Sequence, residues 1–264
     1  MGVSIGVISL KGGVGKTSST LSLGKAIADL GKKVLLVDAN FSAPNLGMHL
    51  NLIAPEITLH DVLARKKSIT SAIQTFGNLD ILPSSLFPEI KINPLKLKEI
   101  LKPVKKKYDF ILIDSSPSFN DESLSTMLAS DEIFIVSTPD HPTLSTTIKA
   151  IKTAKKRGVD ISGIILNKVH GKDFEISPLD VEKTAGVPIM AVIPHDTDFL
   201  KAVYNFQSFM EYSPNSVAGK EYRRLAEILT GEKSKNFISF VDLFRSFPKL
   251  QDVNREIYYE SVFG

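Results

Sequence analysis

A short apolar run, Ser4–Ser9, passes without a break into Leu10-Lys11-Gly12-Gly13-Val14-Gly15-Lys16-Thr17, and a helical pattern follows at once. Few architectures accommodate that order. The glycines let successive backbone N–H groups turn toward an anion, and the helix that starts there adds the positive end of its dipole. The rest of the chain agrees with such a beginning. Runs rich in Val and Ile at Lys33–Val37, Leu79–Leu82, Phe110–Ile113, Ile133–Ser137, Ile161–Leu166 and Ile189–Ile193 alternate with longer amphipathic stretches. The runs scarcely alternate in polarity, as strands covered on both faces should. The pattern predicts an α/β fold, a mostly parallel twisted sheet of about seven to eight strands with helices on both faces.

Helical spacing is clearest at Leu23, Ile27 and Leu30, with Gly31 placed to end that helix, and recurs at 94–106, 122–129, 143–156, 178–185 and 217–229. Gly231 marks a boundary, so the expectation is one domain over 1–231 and a tail over 232–264 that carries five Phe and two Tyr. Composition narrows the function. The 264 residues include no cysteine, which removes thiol catalysis, iron–sulfur ligation and Cys-based zinc sites. No apolar run approaches the ~20 residues that span a bilayer, and the N-terminus does not resemble a secretion signal. A cytoplasmic protein, with peripheral membrane attachment through its tail as a variant, is the expectation. The net charge of +3 does not by itself call for a nucleic-acid partner.

The glycine turn carries more than glycine. Lys16 supplies a cation for β and γ phosphates, and the Thr17 hydroxyl is a hard oxygen ligand for Mg²⁺. A bare strand-to-helix turn explains Gly12, Gly13 and Gly15, but not two lysines and a threonine at fixed offsets. Asp38 and Asp114 each close an apolar strand, where ligand sites of parallel sheets collect.

Lys11-Gly12-Gly13-Val14-Gly15-Lys16-Thr17 resembles the deviant Walker A box of the MinD/ParA superfamily of dimerising P-loop ATPases. Val37-Asp38-Ala39-Asn40 with Asn45-Leu46-Gly47 resembles that family's switch I, and Tyr108–Ser115 its Walker B strand and switch II. Leu166-Asn167-Lys168 and Val192-Ile193-Pro194-His195-Asp196 resemble its adenine-contacting segments. The likeness covers about residues 3–229 and is strongest toward MinD-like proteins.

The resemblance implies ATP/ADP and Mg²⁺ as ligands, with Gly12, Gly13, Val14, Gly15, Lys16, Thr17 and Ser18 around the phosphates. It implies Thr17, Asp38 and Asp114 at the metal, and Asn167, Pro194 and Asp196 at the base. It also implies an ATP-bound homodimer in which Lys11 reaches the partner's phosphates. A cation contributed in trans would make association depend on the γ-phosphate. One place departs from the family: the second acid of switch I is Asn40, which can hydrogen-bond water but cannot take its proton. Weak basal hydrolysis is therefore expected.

Three functions follow from the resemblance: a MinD-type switch that positions the division site or other machinery, an ATP-bound dimeric clamp with negligible hydrolysis, and a ParA-like DNA-partitioning ATPase. An activating or cargo protein is implied in each case. In the tail, Phe237, Phe240, Val241, Phe244 and Phe247 repeat at helical spacing among lysines, over 236–247. Such a stripe either binds a membrane surface or packs on a protein, and packing is the commoner fate. Lys102, Lys105, Lys106 and Lys107, and Lys149, Lys152, Lys155, Lys156 and Arg157, form basic clusters that suit non-specific DNA. Helix C-termini attract lysine for dipole reasons alone, and that reading is preferred.

Overall fold

A computed structural model describes residues 2–232 and 249–264. The chain runs through strand β1 (Val3–Ile8), helix α1 (Lys16–Asp29), strand β2 (Val34–Ala39), helices α2 (Leu59–Leu63) and α3 (Ile69–Ala72), and strands β3 (Gln74–Phe76) and β4 (Leu79–Leu82). Helix α4 (Leu97–Leu101), strand β5 (Phe110–Ser115), helix α5 (Asp121–Ala129), strand β6 (Glu132–Ser137), helix α6 (His141–Lys156) and strand β7 (Asp160–Val169) follow. Helix α7 (Pro178–Ala185), strand β8 (Ile189–Pro194) and helices α8 (Asp198–Tyr204), α9 (Phe209–Tyr212), α10 (Val217–Leu229) and α11 (Leu250–Phe263) complete it.

The eight strands make one sheet in the order β3-β4-β2-β5-β1-β6-β7-β8, parallel throughout except for β3 against β4. On one face Ile5, Val7, Leu36, Leu112 and Phe134 pack against Leu23 and Ile27 of α1 and Tyr222 and Leu225 of α10. On the other, Leu35, Val37, Ile111 and Ile113 meet α2 and α4, while Ile133, Ile135 and Ile164 meet Ile151 of α6 and Val181 of α7. Burial of central strands on both faces accounts for their unbroken apolar character.

All seven expected strands form. The eighth, β3, was not legible: it is a three-residue edge segment, Gln-Thr-Phe, too short to show a period. The helix expected over 94–106 is shorter than its pattern. A 3₁₀ turn, Pro94–Lys96, leads into the five-residue α4, and residues 102–107 are turns. Pro103 lacks the N–H that a continuing helix would use. Lys102, Lys105, Lys106 and Lys107 thus sit in a turn, and Lys105 is paired with Asp131 at 2.5 Å.

Helix α11 is a further addition to the expected elements. Its buried face is polar, formed by Gln251, Asn254 and Arg255, and it docks across the start of β8 and along α10. Asn254 Nδ2 donates to the Ile189 carbonyl at 2.9 Å, and Arg255 Nε to the Met190 carbonyl at 2.7 Å. Arg255 also pairs with Glu221 of α10 at 2.6 Å. The aromatic stripe expected over 236–247 lies outside the described residues.

Candidate functional site

The glycine loop joins β1 to α1 with Gly13 at φ 79° and Gly15 at φ 89°, left-handed values that favour glycine. A side chain at Gly15 would also collide with Asn167 Nδ2, 2.3 Å from the place of a Cβ, whereas Gly12 and Gly13 face open space. The loop therefore presents its backbone on one side and is braced on the other. Asn167 Nδ2 donates to the Val14 carbonyl at 2.8 Å and Lys168 Nζ to the Gly13 carbonyl at 2.7 Å.

Behind the loop, β2 and β5 run side by side, and their register sets Asp38 directly opposite Asp114. Both carboxylates are fully buried. Lys16 Nζ donates to Asp114 Oδ1 at 2.7 Å, Thr17 Oγ1 to Oδ2 at 2.7 Å, and Thr20 Oγ1 to Oδ1 at 3.2 Å. Asp38 accepts the backbone N–H groups of Asn45 and Leu46 at 3.0 and 2.9 Å, and that of Asn40 at 3.2 Å. These bonds do not suffice to keep it readily ionised. Burial and the nearby Asp114 charge push its carboxyl up to about 7.

Two buried carboxylates facing one ammonium are a charge set that a divalent cation completes. Thr17, Asp38 and Asp114 all offer oxygen, the donor Mg²⁺ prefers. Among the described residues no group of three or more His, Cys, Asp or Glu gathers into a cluster able to hold a metal.

Lys11, Gly12, Gly13, Val14, Gly15, Lys16, Thr17, Ser18 and Asn40 line one cleft. An adjoining cleft shares Gly15 and Ser18 with it and is walled by Asn167, Pro194 and Asp196. Two expected residues are engaged with neighbours in their own chain. Lys11 Nζ rests on Asp140 Oδ1 at 3.2 Å and Thr143 Oγ1 at 2.8 Å, at the start of α6. Asn40 donates its side-chain amide to the Ala43 carbonyl, which ties down the loop after β2. An aspartate at that position has no hydrogen to give there.

Sequence reasoning missed His49, and it named Lys168 only as part of a segment resembling an adenine contact. His49 lies on the 3₁₀ turn Met48–Leu50 and lines the same cleft as the glycine loop. Burial pushes its pKa down while the Asp114 charge pulls the other way. A lone histidine 33 positions past Lys16 carries no spacing signal. Lys168 adjoins the expected Asn167, and its bond to the loop could not be inferred from strand pattern.

Comparison with known proteins places this geometry. The profile of an AAA domain family matches residues 2–161, and that of 4Fe-4S iron sulfur cluster binding proteins of the NifH/frxC family matches 123–241. The second likeness does not extend to cluster ligands, since the chain has no cysteine. An uncharacterised ATP-binding protein of Methanocaldococcus jannaschii is 32% identical over 231 residues, 86% of this chain and 88% of the relative. The chromosome-partitioning ATPase Soj of Treponema pallidum is 35% identical over 245 residues, 86% of this chain and 96% of its own. Among solved structures, the septum site-determining protein MinD of Pyrococcus horikoshii, complexed with Mg-ADP, superposes with a TM-score of 0.82 at 36% identity. That match covers 87% of this chain and 96% of the other.

Proposed function

Because the chain belongs to the MinD/ParA superfamily of ATPases, we propose that it is an ATP-dependent dimerising switch that hydrolyses ATP slowly with Mg²⁺ and positions cellular machinery. The observation that carries this reading is the Asp38–Asp114 register beside Lys16 and Thr17. It supplies buried oxygen ligands and a cation at the mouth of an open glycine loop.

Mg²⁺ held by Thr17, Asp38 and Asp114 would neutralise charge on the phosphate oxygens of the substrate ATP. Phosphoryl transfer to water is chiefly positioning and electrostatics. Lys16 and the loop amides hold β and γ phosphates, Thr17 and Asp114 face the metal, and Asp38 completes the acidic side of the site. Lys11, at the cleft rim, leaves Asp140 to reach the phosphates of a second copy. Asn40 orients water without accepting its proton, which keeps turnover low. Asn167, Pro194 and Asp196 wall the base.

Relatives named for septum placement and for chromosome partitioning support two cargoes. Lys149, Lys152 and Lys156 line a shallow groove on α6, and this favours DNA as the second reading. A membrane surface would engage through 236–247. No helix among the described residues is long and apolar enough to cross a membrane.

The test joins light scattering with single-turnover hydrolysis. Mg-ATP, but not Mg-ADP, should convert monomer to dimer, and Lys11→Ala should abolish the conversion while retaining nucleotide binding. Asn40→Asp should raise the hydrolysis rate about a hundredfold or more, in the range a positioned acid–base group contributes. A monomer under every condition overturns the switch, and an unaltered rate in Asn40→Asp overturns the role given to Asn40.

A further inference from the structure

Among the described residues two buried side-chain atoms have no hydrogen-bond partner, Ser22 Oγ and Glu122 Oε2. Ser22 lies on α1 one turn beyond Ser18, a residue of the phosphate cleft, and is 1% exposed. It shares with His49 a small cavity of about one water's size, closed by Phe199, Val203 and Phe209. His49 also lines the cleft on the other side, with Lys16, Thr17 and Ser18. His49 thus lines both the phosphate cleft and the small cavity that holds the unpartnered hydroxyl, as Ser18 does.

The backbone around His49 ties it to the carboxylates. The His49 N–H bonds the Asn45 carbonyl at 3.3 Å, and the Leu50 N–H bonds that of Gly47 at 3.0 Å. Asn45 and Leu46 in turn donate their N–H groups to Asp38. Any ligand that grips the His49 ring therefore pulls on the segment that holds Asp38.

We infer that His49 is a further nucleotide-positioning residue, whose ring donates a hydrogen bond to the anionic side of the bound nucleotide, a phosphate oxygen or a water of its Mg²⁺ shell. This rests on the proposed nucleotide site and deepens it. A water in the small cavity would bridge Ser22 Oγ to the far side of the ring and fix which nitrogen carries the hydrogen. A neutral imidazole has one donor and one acceptor, so a partner on each side satisfies both. Nucleotide occupancy is thereby transmitted to the loop after β2 by a hydrogen bond, without an acid in the Asn40 place. Losing one hydrogen bond to a charged group costs about tenfold or more in affinity.

The experiment measures Mg-ADP and Mg-ATP analogue binding by the full chain, with side-chain ¹⁵N spectra of its histidines, His49 being assigned from His49→Gln. In the wild type, saturating Mg-nucleotide should shift the His49 ring nitrogens. His49→Ala should bind about tenfold more weakly, and His49→Gln, which keeps a donor of similar reach, within about threefold of wild type. Ring nitrogens unmoved at saturation, or His49→Ala binding within about twofold, overturn the inference and leave the nucleotide site standing. Should His49→Ala not fold, the wild-type spectra decide alone. Wild-type protein that binds no nucleotide overturns both readings.

Discussion

Two groups of buried charge occupy opposite ends of the sheet. At the C-terminal ends of β2 and β5, Asp38 and Asp114 face Lys16, two acids against one cation. Near the start of β8, Arg255 meets Glu221, one against one, while Arg224 and Asp252 join the pair from its more exposed margin. Arg255 and Glu221 are as buried as the carboxylates of the first group. The second group is closed, since Arg255 gives its Nε–H to the Met190 carbonyl and Asn254 joins Glu182 Oε2 to the Ile189 carbonyl. The first group is left unbalanced, and Asp38 registers the imbalance in its raised pKa. A buried charge cluster that balances itself is a structural fastening, whereas one that does not awaits a ligand.

The largest effect should come from breaking the balanced group. Arg255→Ala leaves the buried Glu221 with only the partly exposed Arg224 and frees the Met190 carbonyl, and should cost about 3 kcal/mol in denaturant unfolding. Arg255→Met should cost less, because the stem still fills the space. Nucleotide affinity at the far end should change by no more than about twofold. A loss of nucleotide binding comparable to the loss of stability would show that the two ends are coupled, and the contrast would fail.

The same contrast explains what the sequence made legible. Asp38 and Asp114 could be paired from the sequence because each terminates a run of apolar residues, a pattern that survives without any contact information, and the strand register sets them opposite each other. Lys16 and Thr17 were legible through their fixed offsets from glycines. The α11 fastening was not, because its buried residues are Gln251, Asn254 and Arg255 and hydrophobic periodicity is blind to a polar inner face. Helices α2, α3, α8 and α9 were passed over for another reason. At four to seven residues each, they hold too few turns for a period to emerge. His49 reaches the cleft only because Asp38 gathers the Asn45 and Leu46 amides and folds the following turn back, a tertiary event.

A smaller effect, of opposite sign, should follow from easing the unbalanced group. With its pKa raised from 3.8 to about 7, Asp38 stabilises the ligand-free fold fully below pH 3.8, and that contribution is lost as pH rises through 7. Without nucleotide or Mg²⁺, the melting temperature should therefore fall between pH 6 and 8. Asp38→Asn should flatten that fall and gain about 1 kcal/mol at pH 8, less than full relief because an amide accepts fewer of the three N–H groups. Mg-nucleotide binding should be lost in the same variant. Stability gained where function is lost is the mark of a site held under strain for a ligand. An unchanged pH profile in Asp38→Asn would assign the titration to another group.

The smallest effect lies at the rim between these extremes, where Lys11 is paired with Asp140 and both side chains are about two-fifths exposed. Burial works against the Asp140 charge, but hydrogen bonds from Thr138, Thr143 and Lys11 hold its carboxyl down at about 2, so the pair persists across the physiological range. An exposed pair of this kind is worth only about 0.2–1 kcal/mol. That suits a lysine that must leave its own chain to meet a second copy: held firmly enough to have a resting place, loosely enough to be released. Asp140 also caps α6 by accepting the Thr143 N–H at 2.9 Å, a task asparagine performs equally well. Asp140→Asn thus removes the charge that parks Lys11 and spares the helix. The ATP-dependent dimer should then form about two- to fivefold more readily, with the gain shrinking at high salt. A weaker dimer in Asp140→Asn would mean that Asp140 orients Lys11 for the partner instead of restraining it.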